Sequence, residues 1–104
     1  MSTNLIPDSL RILDSAAFTG SYQEIGSPLS FAANVIKIYN GANQPVQISI
    51  DGSTDHLYVD QLREFSIEST ASNPISAGTQ FFANGFPGEG NEGIIYLMAF
   101  YSSP

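Results

Sequence analysis

An all-β fold is the class this sequence predicts: one domain, built as a compact antiparallel β-sandwich. Three observations carry that reading. Val46, Ile48 and Ile50 alternate with Gln47, Ser49 and Asp51, the two-residue period of a strand with one buried and one wet face. Short apolar segments recur along the chain, each bounded by Gly, Pro, Asn or Asp, as strands joined by turns are. No segment keeps a 3.6-residue apolar period over three turns, so little helix is expected. Short strands with frequent turns build sandwiches or barrels, and the sandwich is the expected form.

The elements follow in order. Met1 to Asp8, with Pro7 and no periodic pattern, reads as a flexible N-terminal arm, leaving residues 9–104 for the domain. Leu10 to Leu13 is a short strand, Ser15 to Thr19 a turn, and Tyr22 to Ile25 a second, weaker strand. Val35 to Tyr39 is a firm strand. Asn40 to Gln44 is expected to close a hairpin, with Gly41 supplying a positive φ, and Pro45 to Asp51 to return antiparallel. Pro45 is acceptable there because it opens its strand.

Gly52 to Asp55 forms a second turn into Leu57–Val59. Leu62 to Glu68 follows, with Phe65 and Ile67 on one face and Glu64, Ser66 and Glu68 on the other. Beyond the polar loop from Ser69 to Pro74, Thr79 to Ala83 is a strand. Asn84 to Gly93, with four glycines and Pro87, reads as a long mobile connection.

The last strand, Ile94 to Tyr101, is almost wholly apolar. Ile95, Leu97, Ala99 and Tyr101 fall on one face, and Ile94, Tyr96, Met98 and Phe100 on the other. A lone sandwich leaves one face of each strand wet, so here both faces need cover. Either loops fold over the outer face of a central strand, or a subunit interface covers it, since aromatic residues and Met are enriched at interface cores.

Composition narrows the function. The chain has 104 residues and carries 3 basic and 10 acidic side chains, for a net charge of −7. Arg11, Lys37 and Arg63 are the whole basic set. Such a surface repels phosphate, which argues against nucleic-acid and anionic-membrane partners; it suits solubility or a basic partner. No apolar run approaches the ~18 residues of a membrane span. The N-terminus lacks the basic and apolar regions of a signal peptide, so export is not expected. The absence of cysteine rules out disulfides and thiolate metal sites, and fits a reducing cytosol or a particle that meets any redox condition.

Candidate chemistry is thin. His56, the single histidine, has no serine nucleophile motif or cysteine beside it, so no triad can be assembled; Asp55 or Asp60 could orient it as a base, but its place between a turn and a strand reads as structural. Asp51, Ser53 and Asp55 alternate like the start of a calcium loop. An EF-hand then needs glycine and glutamate where this chain has His56 and Leu62. A calcium site of another kind, drawing on Asp60, stays open beside the simpler reading of Asp51–Thr54 as a turn that binds its own backbone. The carboxylates give no facing pair for glycosidase chemistry. The 85–93 glycines lack the lysine and helix of a phosphate loop. Tyr22, Tyr39, Tyr58 and Tyr96 would make a sugar-stacking platform if several shared one exposed face; core or interface positions are the alternative. No catalytic, cofactor or metal residues are therefore expected, and no enzyme.

The runs IKIYNGANQPVQISIDGSTDHLYV, ISAGTQFFANG and IIYLMAFY resemble small virion proteins of tailed bacteriophages. The features fall on Ile36–Gly41, Val46–Gly52, Asp55-His56, Gly78–Gln80 and Ile94–Tyr101, about two-thirds of the chain. The resemblance implies a jelly-roll-like sandwich with a structural role: capsid decoration or cement, bridging capsid subunits. A head–tail junction or tail component is an alternative, as is a carbohydrate- or receptor-binding module. It implies a virion location, with assembly in the host cytoplasm. The implied partners are the major capsid protein or other virion subunits, together with homo-oligomer formation. Candidate interface residues are Leu5 and Ile6 on the arm and Tyr96, Met98 and Phe100 on the final strand.

Overall fold

A computed structural model describes residues 5–54, 56–69, 73–88 and 90–102. Those residues form nine strands: β1 (Leu5–Pro7), β2 (Arg11–Asp14), β3 (Gln23–Glu24), β4 (Val35–Asn40), β5 (Val46–Ser49), β6 (Leu57–Val59), β7 (Glu64–Glu68), β8 (Phe82–Asn84) and β9 (Ile94–Ser102). The only helical element among them is a 3₁₀ turn at Ser15–Ala17, whose N–H of Ala16 is capped by the Asp14 carboxylate. All strand pairs are antiparallel.

Two sheets result. The first runs β1-β9-β4-β7, with β2 also on β9; the second runs β3-β8-β5-β6. β1 and β2 lie on the same side of β9, one against Phe100–Ser102 and the other against Ile94–Leu97. They act as two halves of one edge strand. Part of the expected arm is therefore paired structure: Leu5, Ile6 and Pro7 face Ser102, Tyr101 and Phe100. Residues 1–4 lie outside the described set.

One apolar core sits between the sheets. The first contributes Leu13, Ile36, Ile38, Ile95, Leu97 and Ala99, and the second Val46, Ile48, Val59 and Ala83. Phe18, Ile25, Leu29 and Phe81 pack into the same cluster from the connections. Fully burying one such side chain contributes about 1.5–3 kcal/mol, which is why the alternating rows of β4 and β9 fix the register.

The expected β4–β5 hairpin does not form. β4 belongs to the first sheet and β5 to the second, so residues 41–45 cross between them. The fully buried Asn40 drives the crossing. Its Nδ2 donates to the carbonyls of Gln44 (2.8 Å) and Val59 (3.0 Å), and its Oδ1 accepts from the Ala42 N–H (3.0 Å). Gly41 is required for space rather than for a positive φ. A Cβ there would lie 2.6 Å from the Ile94 carbonyl, to which the Gly41 N–H donates at 3.0 Å.

The alternation read in β5 also stops early. Val46 and Ile48 are buried, but Ser49 is buried too and Ile50 is 50% exposed. Ser49 turns inward because its Oγ serves the next turn, donating to Asp51 Oδ1 (2.8 Å) and accepting from the Gly52 N–H (3.0 Å). By contrast, β7 keeps its expected faces: Phe65 and Ile67 pair with Ile38 and Ile36 of β4.

Arg11 is the main departure from a purely apolar interior. It is only 3% exposed. Its guanidinium donates through Nε to the Ser27 carbonyl (2.7 Å), through Nη1 to that of Ser9 (2.6 Å) and through Nη2 to that of Pro28 (2.7 Å). The Asp8 carboxylate stands 3.4 Å from Nη2 and itself accepts from the N–H groups of Ser9 (2.7 Å) and Ser30 (3.1 Å). Burial pushes the Asp8 pKa up, but these N–H donors and the guanidinium outweigh it, and the net shift is downward. The cluster pins the β1–β2 interruption to the 27–30 connection.

Two substitutions test these anchors by urea unfolding. Arg11→Lys should destabilise by about 2–3 kcal/mol, because one ammonium cannot meet three divergent carbonyls and leaves buried acceptors unpaired. Asn40→Ala should lose about 2 kcal/mol or more by orphaning two carbonyls and one N–H. Midpoints unchanged from the parent would refute either role.

Candidate functional site

The outer face of the first sheet follows directly from strand register. Across β7, β4 and β9, three rows of partners run Glu68–Val35–Phe100, Ser66–Lys37–Met98 and Glu64–Tyr39–Tyr96. Ile12 of β2 continues the last row beyond Tyr96. Direct partners share a face, so Val35, Tyr39, Tyr96, Met98, Phe100 and Ile12 form one largely apolar surface around Lys37.

The two faces of β9 differ sharply in cover. Ile95, Leu97 and Ala99 are buried, whereas Ile94, Tyr96, Met98 and Phe100 remain half-buried. Adjacent strands shield their flanks only. Tyr39 and Tyr96 pack with ring centroids 6.3 Å apart and planes tilted by 34°, above the space that Gly41 leaves vacant. At the β7 side the surface ends in the exposed Glu64, Ser66 and Glu68. Lys37 lies 4.0 Å from Glu64, an exposed pair of small energetic weight. A largely apolar face with Lys37 in its middle row and carboxylates at its β7 margin is what this sheet offers a partner.

The expected interface residues divide between the two sides of the sheet. Tyr96, Met98 and Phe100 lie on the outer face, and Leu5, 49% exposed, joins them through its pairing with Ser102. Ile6 pairs with Tyr101 and belongs to the other side, where Tyr101 stacks on Phe31 at 4.2 Å. Reading the final strand alone missed Val35, Tyr39 and Ile12. The signal was present in Val35-x-Lys37-x-Tyr39, the alternation complementary to Ile36 and Ile38, but which strand lies beside β9 is a long-range fact.

Residues 51–54 form a turn. Asp51 Oδ1 accepts from the N–H groups of Ser53 and Thr54, both at 2.8 Å, and from Ser49 Oγ. The backbone donors of Thr54 and Ser53, followed by side-chain hydroxyl donors, hold the Asp51 carboxyl well below the usual carboxylate range. With its carboxylate engaged by the turn, Asp51 is a register device. Asp55, the other half of the calcium alternative, lies outside the described residues. No cluster of metal-ligating side chains occurs among the described residues. His56 is exposed, and its Nδ1 accepts from the Ile50 N–H at 3.2 Å, bracing the same turn.

The four tyrosines do not form one platform. Tyr39 and Tyr96 share the first sheet's outer face, while Tyr58 of β6 projects from the second, 60% exposed. No protein-family model matches the chain, and no curated protein does either.

The turn makes a pH-dependent contribution. Since the folded Asp51 value is depressed, its stabilisation is complete above the ordinary value of 3.8 and declines as pH falls below it toward the folded value, the sense dictated by linkage. Asp51→Asn keeps the acceptor oxygen and removes the charge. Its urea midpoint should fall below the parent's at pH ~6 and approach it at pH ~2.5. A gap independent of pH would show that the charge is immaterial.

Proposed function

We propose that this chain is a non-enzymatic structural subunit of a tailed-bacteriophage virion, most specifically a capsid decoration or cement protein. The carrying observation is the apolar outer face of β9 and β4, centred on Tyr96, Met98 and Phe100 and edged by Glu64 and Glu68. An exposed surface of this kind favours a protein partner. Its acidic margin favours one with a basic rim, through complementary charge. The partner is the major capsid protein or another virion subunit, and copies of this chain assemble around it.

The strand order supports the jelly-roll reading. After β2, the chain alternates between sheets except for the β5–β6 hairpin, giving four-strand orders β2-β9-β4-β7 and β3-β8-β5-β6. This is the double-sheet arrangement of two Greek keys that viral capsid and lectin domains use. The N-terminal segment extends the same contact surface, with Leu5 beside the end of β9. Contacts repeated by capsid symmetry gain avidity, so a modest face suffices at each position.

A mass-spectrometric inventory of purified particles should contain this protein at a stoichiometry matching capsid symmetry. Purified chain added to particles lacking it should bind and raise their resistance to heat. Met98→Glu should keep the β circular-dichroism signature and weaken particle binding by about 30-fold or more, the loss expected at an interface hot spot. Absence from particles, or full binding by a folded Met98→Glu, would overturn the proposal. Location only at the head–tail junction or tail would overturn the capsid seat.

A further inference from the structure

The second sheet carries a different surface. Asn84 of β8, Gln47 of β5 and Tyr58 of β6 are direct cross-strand neighbours in one row. Val46 and Ile48, which flank Gln47 in sequence, belong to the core, so this row faces outward. Next to it stands Phe86, the most exposed large apolar side chain among the described residues at 78%. Between these groups lies a cavity of about 240 Å³.

Phe86 is held by its backbone. Its N–H donates to Gln44 Oε1 (2.8 Å), and its carbonyl accepts from Gln44 Nε2 (2.9 Å) and Asn91 Nδ2 (2.9 Å). Gln44 Nε2 also donates to Asn91 Oδ1 at 2.7 Å, closing the network. The preceding Gly85 presses against the core ring of Phe18, where a Cβ would approach to 2.5 Å. The chain thus fixes the backbone that carries a ring contributing little to its own core. A solvent-facing aromatic on an anchored backbone, beside a polar row, is the construction of a largely preformed ligand site.

We propose that this cavity binds a neutral saccharide ring. Tyr58 and Phe86 supply flat apolar faces for the C–H side of a pyranose, and the Gln47 and Asn84 amides supply donors and acceptors for its hydroxyls. Asn84 Oδ1 is buried with no hydrogen-bond partner; a small rotation of the amide toward the cavity brings it to a sugar hydroxyl. No ionised side chain among the described residues lines the cavity, and the net charge of −7 disfavours anionic sugars and nucleotides. The size suits one ring, below the ~300–1,000 Å³ of sites for larger ligands. A polyproline segment would need a groove running past successive residues. This site goes beyond the particle-binding role and uses the opposite sheet.

The test is a two-dimensional amide NMR titration with methyl glycosides of glucose, galactose, mannose and N-acetylglucosamine. At least one should shift the Gln47 and Asn84 side-chain amides and the Tyr58 and Phe86 backbone resonances, while N-acetylneuraminic acid should not. Tyr58→Ala and Phe86→Ala alter exposed side chains and should preserve the remaining spectrum while weakening binding about tenfold each. No shifts up to about 100 mM glycoside, weaker than any useful affinity, would overturn the proposal. So would shifts undiminished in both variants, or a proline-rich peptide shifting these resonances when no glycoside does. Both variants should still bind particles like the parent, so the two readings fail separately.

Discussion

The pairing of β9 along its whole length is the constraint on which the rest of the molecule depends. One edge holds β4 in six-residue register and the other holds β1 and β2. Its inward row, Ile95, Leu97 and Ala99, sits in the core. Both ends are fixed by groups outside the ladder. At the start, the Gly93 carbonyl accepts from Ser15 N–H and Oγ at 3.1 and 2.8 Å. Gly93 itself, at φ +96°, lies so close to Gly41 that a Cβ would be 1.9 Å from its carbonyl oxygen. At the end, the buried Asn34 donates its N–H to the Phe100 carbonyl and accepts from Ser102. Shifting β9 by one residue would invert its rows and break both anchors.

Much of this architecture was legible in the sequence. The two-residue alternations of β4, β7 and β9 show directly in their apolar spacing, and the Asp51–Thr54 turn was readable because Asp and Ser capture nearby N–H groups. These signals are local. The β4–β5 crossing was not readable: Asn40-Gly41 looks like a hairpin turn, and only the distant Val59 carbonyl explains why the chain leaves its sheet there. Arg11 was similarly opaque. It looked like a surface cation until the carbonyls of Ser27 and Pro28 were placed around it. For the proposed surfaces, β9 announced its outer row, while the partners in that face and the Asn84–Gln47–Tyr58 row depend on which strands become neighbours.

The two sheets divide the surface by chemistry. The first presents aliphatic and aromatic groups over three strands with carboxylates at the margin, a large contact suited to another protein. The second presents amides and two separate rings around a small hollow. Because both sheets bury their inner faces in one core, these surfaces point in opposite directions. Binding at one would therefore leave the other open.

The edge made by β1 and β2 also governs when the protein can fold. Its residues pair with a strand at the opposite end of the chain, Leu5 with Ser102 and Arg11 with Leu97. While β1 to β8 are being synthesised there is no β9 to receive β1 and β2 or to cover β4, whose flank stays open until Ile94–Ser102 emerges. Closing such distant contacts carries a large loop entropy and slows folding relative to local topologies. Synthesis in chain order thus leaves the first sheet incomplete until β9 is available to pair with β1, β2 and β4. Until then, the unpaired edge of β4 is a template for association between incomplete chains, a hazard that grows with their concentration.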